Sequence, residues 1–208
     1  MKTCVIFCAA GFDGLLENIE NATVIAADGG LDRLGDITPD LVVGDFDSAV
    51  AEPPKDAVLL PVEKDVTDMK YAVDLGIEKG FDTFLLYGGT GGRPDHTFAN
   101  YALLCELAER GKIGYHIGDG FIATAIRNGE LEIEGKTGNT LSVFSAGDKA
   151  EGVSLSGLKY PLSGYTLTFN TPLGVSNSFA ENTAKISVKK GTLLIIWEEN
   201  VKDLIDNF

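Results

Sequence analysis

The segment Thr83-Phe84-Leu85-Leu86-Tyr87, followed at once by Gly88-Gly89-Thr90-Gly91-Gly92-Arg93-Pro94-Asp95-His96, decides the fold. The apolar run predicts a buried strand, and Pro94 suits the first turn of a helix. The glycines between them form a corner whose backbone N–H groups can face a phosphate, although a tight turn without a ligand is the alternative. The corner is not a Walker loop, because no Gly-Lys-Ser/Thr follows.

Similar apolar runs, each ending near Gly or Asp, predict further strands of a mostly parallel sheet built from βαβ units. The predicted strands are Val5–Ala9, Thr23–Ala27, Leu41–Val43, Ala57–Leu60 and Thr83–Tyr87.

Two amphipathic helices are predicted between these strands. The first begins after Thr67 as its N-cap and ends at Gly80. The second begins at Pro94 and ends at Gly111. Its predicted apolar face consists of Phe98, Tyr101, Ala102 and Cys105.

Near residue 125 the pattern changes to short alternating strands separated by turn residues, which predicts an all-β sandwich or open barrel. The candidate strands are Leu131–Glu134, Thr140–Phe144, Val153–Leu155, Tyr165–Phe169, Ala184–Val188 and Thr192–Trp197. We therefore expect an α/β N-terminal domain with a mostly parallel sheet over residues 1–125, followed by an all-β C-terminal domain over residues 126–208.

The charge balance excludes two classes of partner. The 208 residues include 31 acidic and 17 basic side chains, giving a formal net charge of −14. A protein held on nucleic acid by phosphate contacts needs a basic face, and so does one that docks on an anionic membrane. No stretch has the roughly 18 apolar residues of a membrane span. We expect no nucleic-acid partner and no membrane association.

The cysteines indicate the compartment. Cys4, Cys8 and Cys105 lie in apolar runs, and their spacing does not match a zinc site. Three buried thiols are typical of a reducing environment, so we expect a cytoplasmic protein.

Much of the negative charge lies in one segment. Residues 28–68 contain eleven acidic and three basic residues, and so carry −8 of the −14. Several of these acids follow predicted strands, at the carboxyl edge where open α/β sheets bind ligands. This concentration of carboxylates indicates a ligand-binding site at that edge of the sheet.

Four motifs carry the chemistry of that site. Asp45 and Asp47 in Gly44-Asp45-Phe46-Asp47-Ser48 point the same way in an extended chain and can share a cation, or they can cap turns. In Lys64-Asp65-Val66-Thr67-Asp68, Lys64 can pair a phosphate while Asp68 faces the metal, or Asp68 is only a first-turn acid.

Asp28-Gly29-Gly30 allows close approach of a ligand or forms a simple turn. In the glycine corner, Arg93 offers a planar fork for phosphate oxygens. His96 is either an acid/base or a hydrogen-bonding residue of the helix start.

Taken in order, these motifs resemble the thiamine pyrophosphokinase family. The likeness continues through Pro39-Asp40 and Asn100, and in the second half through Gly157-Leu158-Lys159-Tyr160-Pro161-Leu162 and Ser176-Asn177. It covers nearly the whole chain. Tyr160 stands where the family often has Trp.

The resemblance implies an α/β nucleotide-binding domain and a β-sandwich, working as a homodimer with active sites at the subunit interface. It implies that the β,γ-diphosphate of ATP moves to the hydroxyethyl oxygen of thiamine, with Mg²⁺ as cofactor and AMP as the second product. It places the metal on Asp45, Asp47 and Asp68, and the catalytic roles on Asp68, Arg93 and Asp95. The substrate-binding positions it implies are Asp28, Gly29, Gly30, Ser48, Lys64, Thr67, Gly89, Thr90, Gly91, Gly92, His96, Asn100, Ser176 and Asn177.

Three questions stay open at this point. Either Asp68 or Asp95 can accept the proton of the thiamine hydroxyl. The acceptor can instead be another hydroxymethyl heterocycle, such as a pterin. A non-catalytic nucleotide-sensing module on the same fold is the third alternative, although a binder has less need of three converging acids.

Overall fold

The computed structural model describes residues 2–12, 14, 22–46, 50–61 and 65–199. Within these ranges the chain forms two α-helices, α1 (Asp68–Glu78) and α2 (Pro94–Glu109), and a short 3₁₀ helix (Asp28–Arg33). The strands are β1 (Thr3–Phe7), β2 (Thr23–Ala27), β3 (Leu41–Gly44), β4 (Val58–Leu59), β5 (Thr83–Tyr87), β6 (Ile113–Ile117), β7 (Phe121–Arg127), β8 (Glu130–Glu134), β9 (Thr140–Ser145), β10 (Lys149–Ser156), β11 (Leu162–Thr168), β12 (Gly174–Ser178), β13 (Thr183–Ser187) and β14 (Thr192–Glu198).

Ten of these strands form one sheet in the order β12-β9-β14-β7-β6-β5-β1-β2-β3-β4. The half from β6 to β4 is parallel, as the sequence predicts, and the half from β7 to β12 is antiparallel. The central parallel strands are apolar throughout because both faces are covered. Helices α1 and α2 pack on Ile6, Phe84 and Leu86, while Phe7 and Tyr87 belong to the core of the opposite face.

The second sheet has the order β11-β10-β13-β8 and packs on the antiparallel half of the first. Strand β14 shows how one strand serves two cores. Leu193, Ile195 and Trp197 face the four-stranded sheet, whereas Leu194 and Ile196 face α2. This alternation is the two-residue period of a strand. The predicted fold class, a mostly parallel α/β half followed by an antiparallel β sandwich, is confirmed.

The strand bounds differ from the predictions in detail. Strands β6, β7 and β12 were not predicted, and the first strand runs over Thr3–Phe7 instead of Val5–Ala9. Residue 125 lies within β7, whose partners β6 and β14 belong to the two halves of the large sheet. The two halves therefore share a continuous hydrogen-bonded ladder.

The two helices begin and end close to the predicted residues, but the predicted face of α2 is only partly right, because Tyr101 and Cys105 pack against the core while Phe98 and Ala102 are exposed. Thr67 caps α1, and its Oγ1 accepts a hydrogen bond of 3.2 Å from the Lys70 N–H. In α2 the residues packed on the sheet are Leu103, Leu104 and Leu107, whereas Phe98 is 66% exposed. The leucines form a neighbouring stripe at the same helical spacing, and that stripe contacts β6 and β7.

None of the helices in the described ranges is both long and apolar enough to cross a membrane. All three cysteines are described, and none forms a disulfide.

Candidate active site

A cleft of about 880 Å³ lies at the carboxyl ends of the parallel strands. This is the edge where open α/β sheets bind their ligands. It is lined by Cys8, Ala9, Ala10, Ala27, Asp28, Asp45, Asp65, Val66, Thr67, Asp68, Met69, Gly88, Gly89, Gly91, Arg93, His96 and Asn100. The motifs that the sequence spreads over residues 28–100 thus meet in one place.

Three half-buried carboxylates, Asp28, Asp45 and Asp68, come to this cleft from different elements. Asp28 follows β2, Asp45 follows β3, and Asp68 begins α1. Burial, and then the negative charges of Asp68 and Asp28, raise the pKa of the Cys8 thiol. Both carboxylates are therefore close enough to the cleft floor to act on the same sulfur.

The backbone near these carboxylates has an uncommon conformation. Asp28 and Phe46 have φ of +48° and +56°, values that non-glycine residues rarely adopt. Such residues concentrate at functional sites, where the surrounding structure holds them. Gly30 has no room for a side chain, because a Cβ there would collide with the Phe7 carbonyl. The 3₁₀ helix that carries Asp28 is thus pressed against β1.

The glycine corner predicted at 88–92 is the opposite wall. Gly88 has φ of +65°, and a Cβ there would lie 2.5 Å from the Cys8 carbonyl oxygen and 2.6 Å from that of Ala10. The Ala10 N–H donates to the Gly88 carbonyl at 2.9 Å, which ties the corner to the segment after β1. Thr90 is buried within the corner, while Gly91 and Gly92 are exposed.

Arg93 and Asp95 form an exposed ion pair at the start of α2. Arg93 Nη2 lies 2.6 Å from Asp95 Oδ2, and Nε lies 3.2 Å from Oδ1. This hydrogen bond lowers the pKa of Asp95 to about 2. Thr97 supports the turn, because its Oγ1 accepts from the Gly91 N–H and donates to the Arg93 carbonyl. His96 is exposed at the rim of the cleft.

Two asparagines from the predicted set have backbone partners. Asn100 Nδ2 donates to the Gly89 carbonyl at 2.6 Å. Asn177 is 4% exposed; its Oδ1 accepts from the Tyr160 N–H at 2.9 Å, and its Nδ2 donates to the Tyr160 carbonyl at 2.8 Å. Asn177 therefore fixes the segment that presents Tyr160, whose ring is exposed with Lys159 Nζ 5.4 Å from its centroid.

Not all predicted site residues meet in the cleft. Asp47, Ser48 and Lys64 lie outside the described residues. Ser176 and Asn177 lie on β12, at the far edge of the ten-stranded sheet. Ser176 is exposed and has φ of +57°, at a register irregularity of that strand.

The donor set of the cleft fits a hard cation. Carboxylate oxygens are the ligands that Mg²⁺ prefers, and Mg²⁺ commonly takes one or two of them and fills its other positions with water and phosphate. Among the described residues, no three His, Cys, Asp or Glu side chains are grouped closely enough to hold an ion by themselves. The fit therefore rests on the type of donor at Asp28, Asp45 and Asp68.

Sequence reasoning missed the anchoring role of two acids near the site, Asp40 and Asp32. Asp40 Oδ2 accepts from the Val24 N–H, which aligns β2 with β3. Asp32 accepts from the N–H groups of Val50 and Ala51, and these bonds lower its pKa. Asp32 and Asp40 carry the same charge as the cleft acids, so composition alone does not separate anchoring acids from ligand-facing ones.

Comparison with known proteins agrees with this geometry. The family model described as "Thiamin pyrophosphokinase, catalytic domain" matches residues 15–114, and "Thiamin pyrophosphokinase, vitamin B1 binding domain" matches residues 130–193. Thiamine pyrophosphokinase of Bacillus subtilis (strain 168) is 30% identical over 186 residues, covering 86% of this chain and 84% of that protein.

The chain belongs to the thiamin pyrophosphokinase family.

Solved structures of the family share the fold. The crystal structure of thiamine pyrophosphokinase from Bacillus subtilis superimposes with a TM-score of 0.84 at 28% identity, covering 95% of this chain and 99% of that one. Yeast thiamin pyrophosphokinase has a TM-score of 0.74 at 16% identity, covering 100% and 89%. Family membership makes the chain an enzyme of ATP-dependent thiamine diphosphate formation. The match of a vitamin B1 binding domain disfavours a pterin acceptor and a non-catalytic sensing module.

Proposed function

We propose that the acidic cleft moves the β,γ-diphosphate of ATP directly to the hydroxyethyl oxygen of thiamine and releases AMP. The observation that carries this proposal is the meeting of Asp28, Asp45 and Asp68 with a glycine corner at the start of α2. Phosphoryl-type transfer depends on positioning and charge neutralisation more than on covalent chemistry by the protein. Acids on one wall and backbone amides on the other supply both.

Asp45, Asp47 and Asp68 are the residues we assign to Mg²⁺. When bound, the ion supplies positive charge that neutralises the polyphosphate oxygens. Of these residues, Asp45 at the end of β3 and Asp68 at the start of α1 line the cleft and would hold the ion there. Asp28, Gly29, Gly30, Ser48, Lys64 and Thr67 are assigned to binding of the nucleotide and its phosphates.

Arg93 and the amides of Gly89, Thr90, Gly91 and Gly92 are assigned to the diphosphate. Arg93 is paired with Asp95 in an exposed position, where an ion pair contributes little stability. A phosphate oxygen can therefore replace Asp95 at the guanidinium at low cost. Before the phosphate binds, Asp95 holds the Arg93 guanidinium at the start of α2, and exposed His96 borders the same opening.

Asp68 is our choice of general base. A carboxylate whose pKa is lowered to about 2, as that of Asp95 is by Arg93, is a weak proton acceptor at neutral pH. Asp68 is half-buried and lines the cleft directly. It is thus the better placed of the two carboxylates to take the proton of the thiamine hydroxyl.

A homodimer with shared active sites is supported by the distance between the two ligand-binding regions. Six strands separate β12, which carries Ser176 and Asn177, from β2, which leads to Asp28. Seven inter-strand spacings of about 4.8 Å make the separation along the sheet roughly 34 Å, longer than a thiamine molecule. Residues of β12 can therefore serve the cleft of a second copy but not that of their own chain.

Apolar side chains near β12 support a subunit contact there. Phe169, Leu173 and Val175 are exposed beside a groove of about 450 Å³ that also involves Phe98 of α2. Exposed apolar clusters of this kind mark interaction surfaces. We place the partner subunit on this side of the molecule.

The remaining assignments follow from the same scheme. Residues 1–125 form the ATP- and diphosphate-binding catalytic domain, and residues 126–208 form the thiamine-binding sandwich. Reduced cysteines and biosynthetic chemistry that uses ATP favour a cytoplasmic location.

The decisive experiment incubates the protein with ATP, Mg²⁺ and thiamine and identifies the nucleotide product. AMP with thiamine diphosphate supports direct diphosphate transfer, whereas ADP would indicate a simple kinase.

Asp45→Asn and Asp68→Asn should lose turnover and keep their thermal unfolding temperature. Asp36→Asn, which changes an exposed acid outside the cleft, is the charge-matched control. Full activity in both cleft variants would contradict the metal assignment.

A further inference from the structure

Three side chains pack directly against the backbone of Gly89. A Cβ at this position would collide with His116 Nε2 and Met69 Cε, and would lie 2.9 Å from Asn100 Nδ2. Two of the three groups are polar, and both belong to buried residues of the sheet and of α2. The backbone of the glycine corner is thus in direct contact with two buried polar side chains, those of Asn100 and His116.

Asn100 selects the conformation of that backbone. Its side chain is 6% exposed and donates to the Gly89 carbonyl at 2.6 Å. Because a peptide unit is planar and trans, a fixed Gly89 carbonyl also fixes the direction of the Thr90 N–H. Glycines at 88, 89, 91 and 92 would otherwise let the corner adopt many conformations. The Asn100 bond therefore restricts the peptide between Gly89 and Thr90, which neither the Ala10 bond to Gly88 nor the Thr97 bond to Gly91 fixes.

His116 lies beneath the same peptide, one strand along the sheet on β6. It is fully buried, and neither ring nitrogen has a hydrogen-bond partner in the described part of the chain. Tyr101 is the aromatic neighbour, with a ring-centroid distance of 6.2 Å. An imidazole N–H buried in this way lowers stability relative to an apolar side chain of the same shape, so packing alone does not explain the residue.

We propose that Asn100 and His116 are positioning residues that set the direction of the corner amides for the diphosphate, without touching nucleotide or thiamine themselves. The proposal rests on the function proposed above, in which the corner receives the β- and γ-phosphates. It changes the role of Asn100, which the family resemblance places among the substrate-binding positions. It also adds His116, which no motif contains.

Nucleotide binding tests the proposal separately from turnover. Asn100→Leu keeps the branching at Cγ and removes the donor. We expect its affinity for an ATP analogue with a non-hydrolysable α,β linkage and Mg²⁺ to fall roughly tenfold or more, since bonds to charged phosphate are among the stronger ones. Affinity for AMP, which lacks the two phosphates, should stay within about twofold of the wild type. Isothermal titration calorimetry measures both.

Asn139→Leu is the matched control for Asn100→Leu. Asn139 donates to the Glu198 carbonyl at 3.2 Å, the same kind of bond in the β half. It should bind the analogue as the wild type does. If Asn100→Leu binds the analogue normally, or loses AMP and analogue equally, the proposal is wrong.

His116→Leu covers the case in which Asn100→Leu fails to fold. We expect its unfolding temperature to equal or exceed that of the wild type, with the same selective loss of analogue affinity. A purely structural histidine would move stability and leave the ratio of the two affinities unchanged, which would overturn the assignment of His116. Failure of the wild type to make thiamine diphosphate would overturn the proposed function, but would leave this binding test intact.

Discussion

His116 has a second property, which concerns protonation. Burial lowers its pKa from 6.5 to about 4. Between these values the unfolded chain binds a proton at this residue and the folded chain does not. The free energy of unfolding therefore falls as the pH falls from 6.5 towards 4. Tyr101 is the titratable side chain whose ring packs on His116, and burial raises its pKa, so it stays neutral in this range.

His116→Leu should therefore reduce the acid sensitivity of the fold. At pH 5 the protonation penalty from His116 is on the order of 2 kcal/mol, and it is absent at pH 7.5. Urea unfolding at both pH values measures it. The wild type should lose more stability than the variant between pH 7.5 and pH 5, and equal losses would contradict a buried neutral imidazole.

At the scale of elements, two helix starts form opposite parts of the cleft. Thr67 is the N-cap of α1 and Asp68 its first residue, while Arg93 occupies the N-cap position of α2 without a side-chain cap bond. Lys70 of α1 joins the helices, because its Nζ lies 2.6 Å from Asp74 and 3.1 Å from Glu106 of α2. Asp68 and Arg93, which we propose for the metal and the phosphate, are thus held at the starts of two helices connected by an ion-pair network.

The N-cap of α1 can be tested by substitution. Thr67→Ala removes the acceptor for the Lys70 N–H and should cost about 1 kcal/mol of unfolding free energy. Because Asp68 follows the cap directly, the Mg²⁺ concentration for half-maximal activity should rise as well. Thr67→Asn, a favourable cap, should restore both quantities. A normal Mg²⁺ dependence in Thr67→Ala would separate the cap from the metal site.

At the scale of the whole molecule, the long sheet separates the cleft from the edge strand β12, which carries Ser176 and Asn177. If each site combines the cleft of one subunit with β12 of the other, two inactive variants can complement each other. We expect Asp68→Asn mixed with a Ser176 and Asn177 double alanine variant to regain about a quarter of wild-type activity after co-refolding. Half of the dimers would be mixed, and each would contain one intact site. Turnover after mixing, compared with each variant alone, measures this, and no recovery would contradict shared sites.

Much of this architecture can be predicted from sequence, and the failures have physical reasons. The apolar runs at β2 and β5 and the Thr67 cap give strong local signals, and the cleft acids follow from their place after strands. The predicted face of α2 is only partly right because the helix carries two apolar stripes, and only tertiary contacts decide which one is more deeply buried. Strand β12, Gly174–Ser178, was missed because an edge strand with glycine and serines has no apolar alternation. No pattern in the sequence points to His116, because its proposed role depends on contact with Gly89, which lies 27 positions earlier in the chain.

The unbroken sheet also limits how this enzyme can be re-engineered for new acceptors. Modules joined by a linker can be exchanged because each keeps its own core. Here a foreign domain grafted after β6 would have to supply an antiparallel strand to pair with Tyr115–Ile117. It would also have to supply apolar residues that replace Ala123 and Ala125 in the core beneath the helices. Loop exchange between existing strands, at residues 157–161 and 169–173, leaves those contacts in place. Acceptor specificity in this architecture is accordingly more accessible to loop grafting than to domain shuffling.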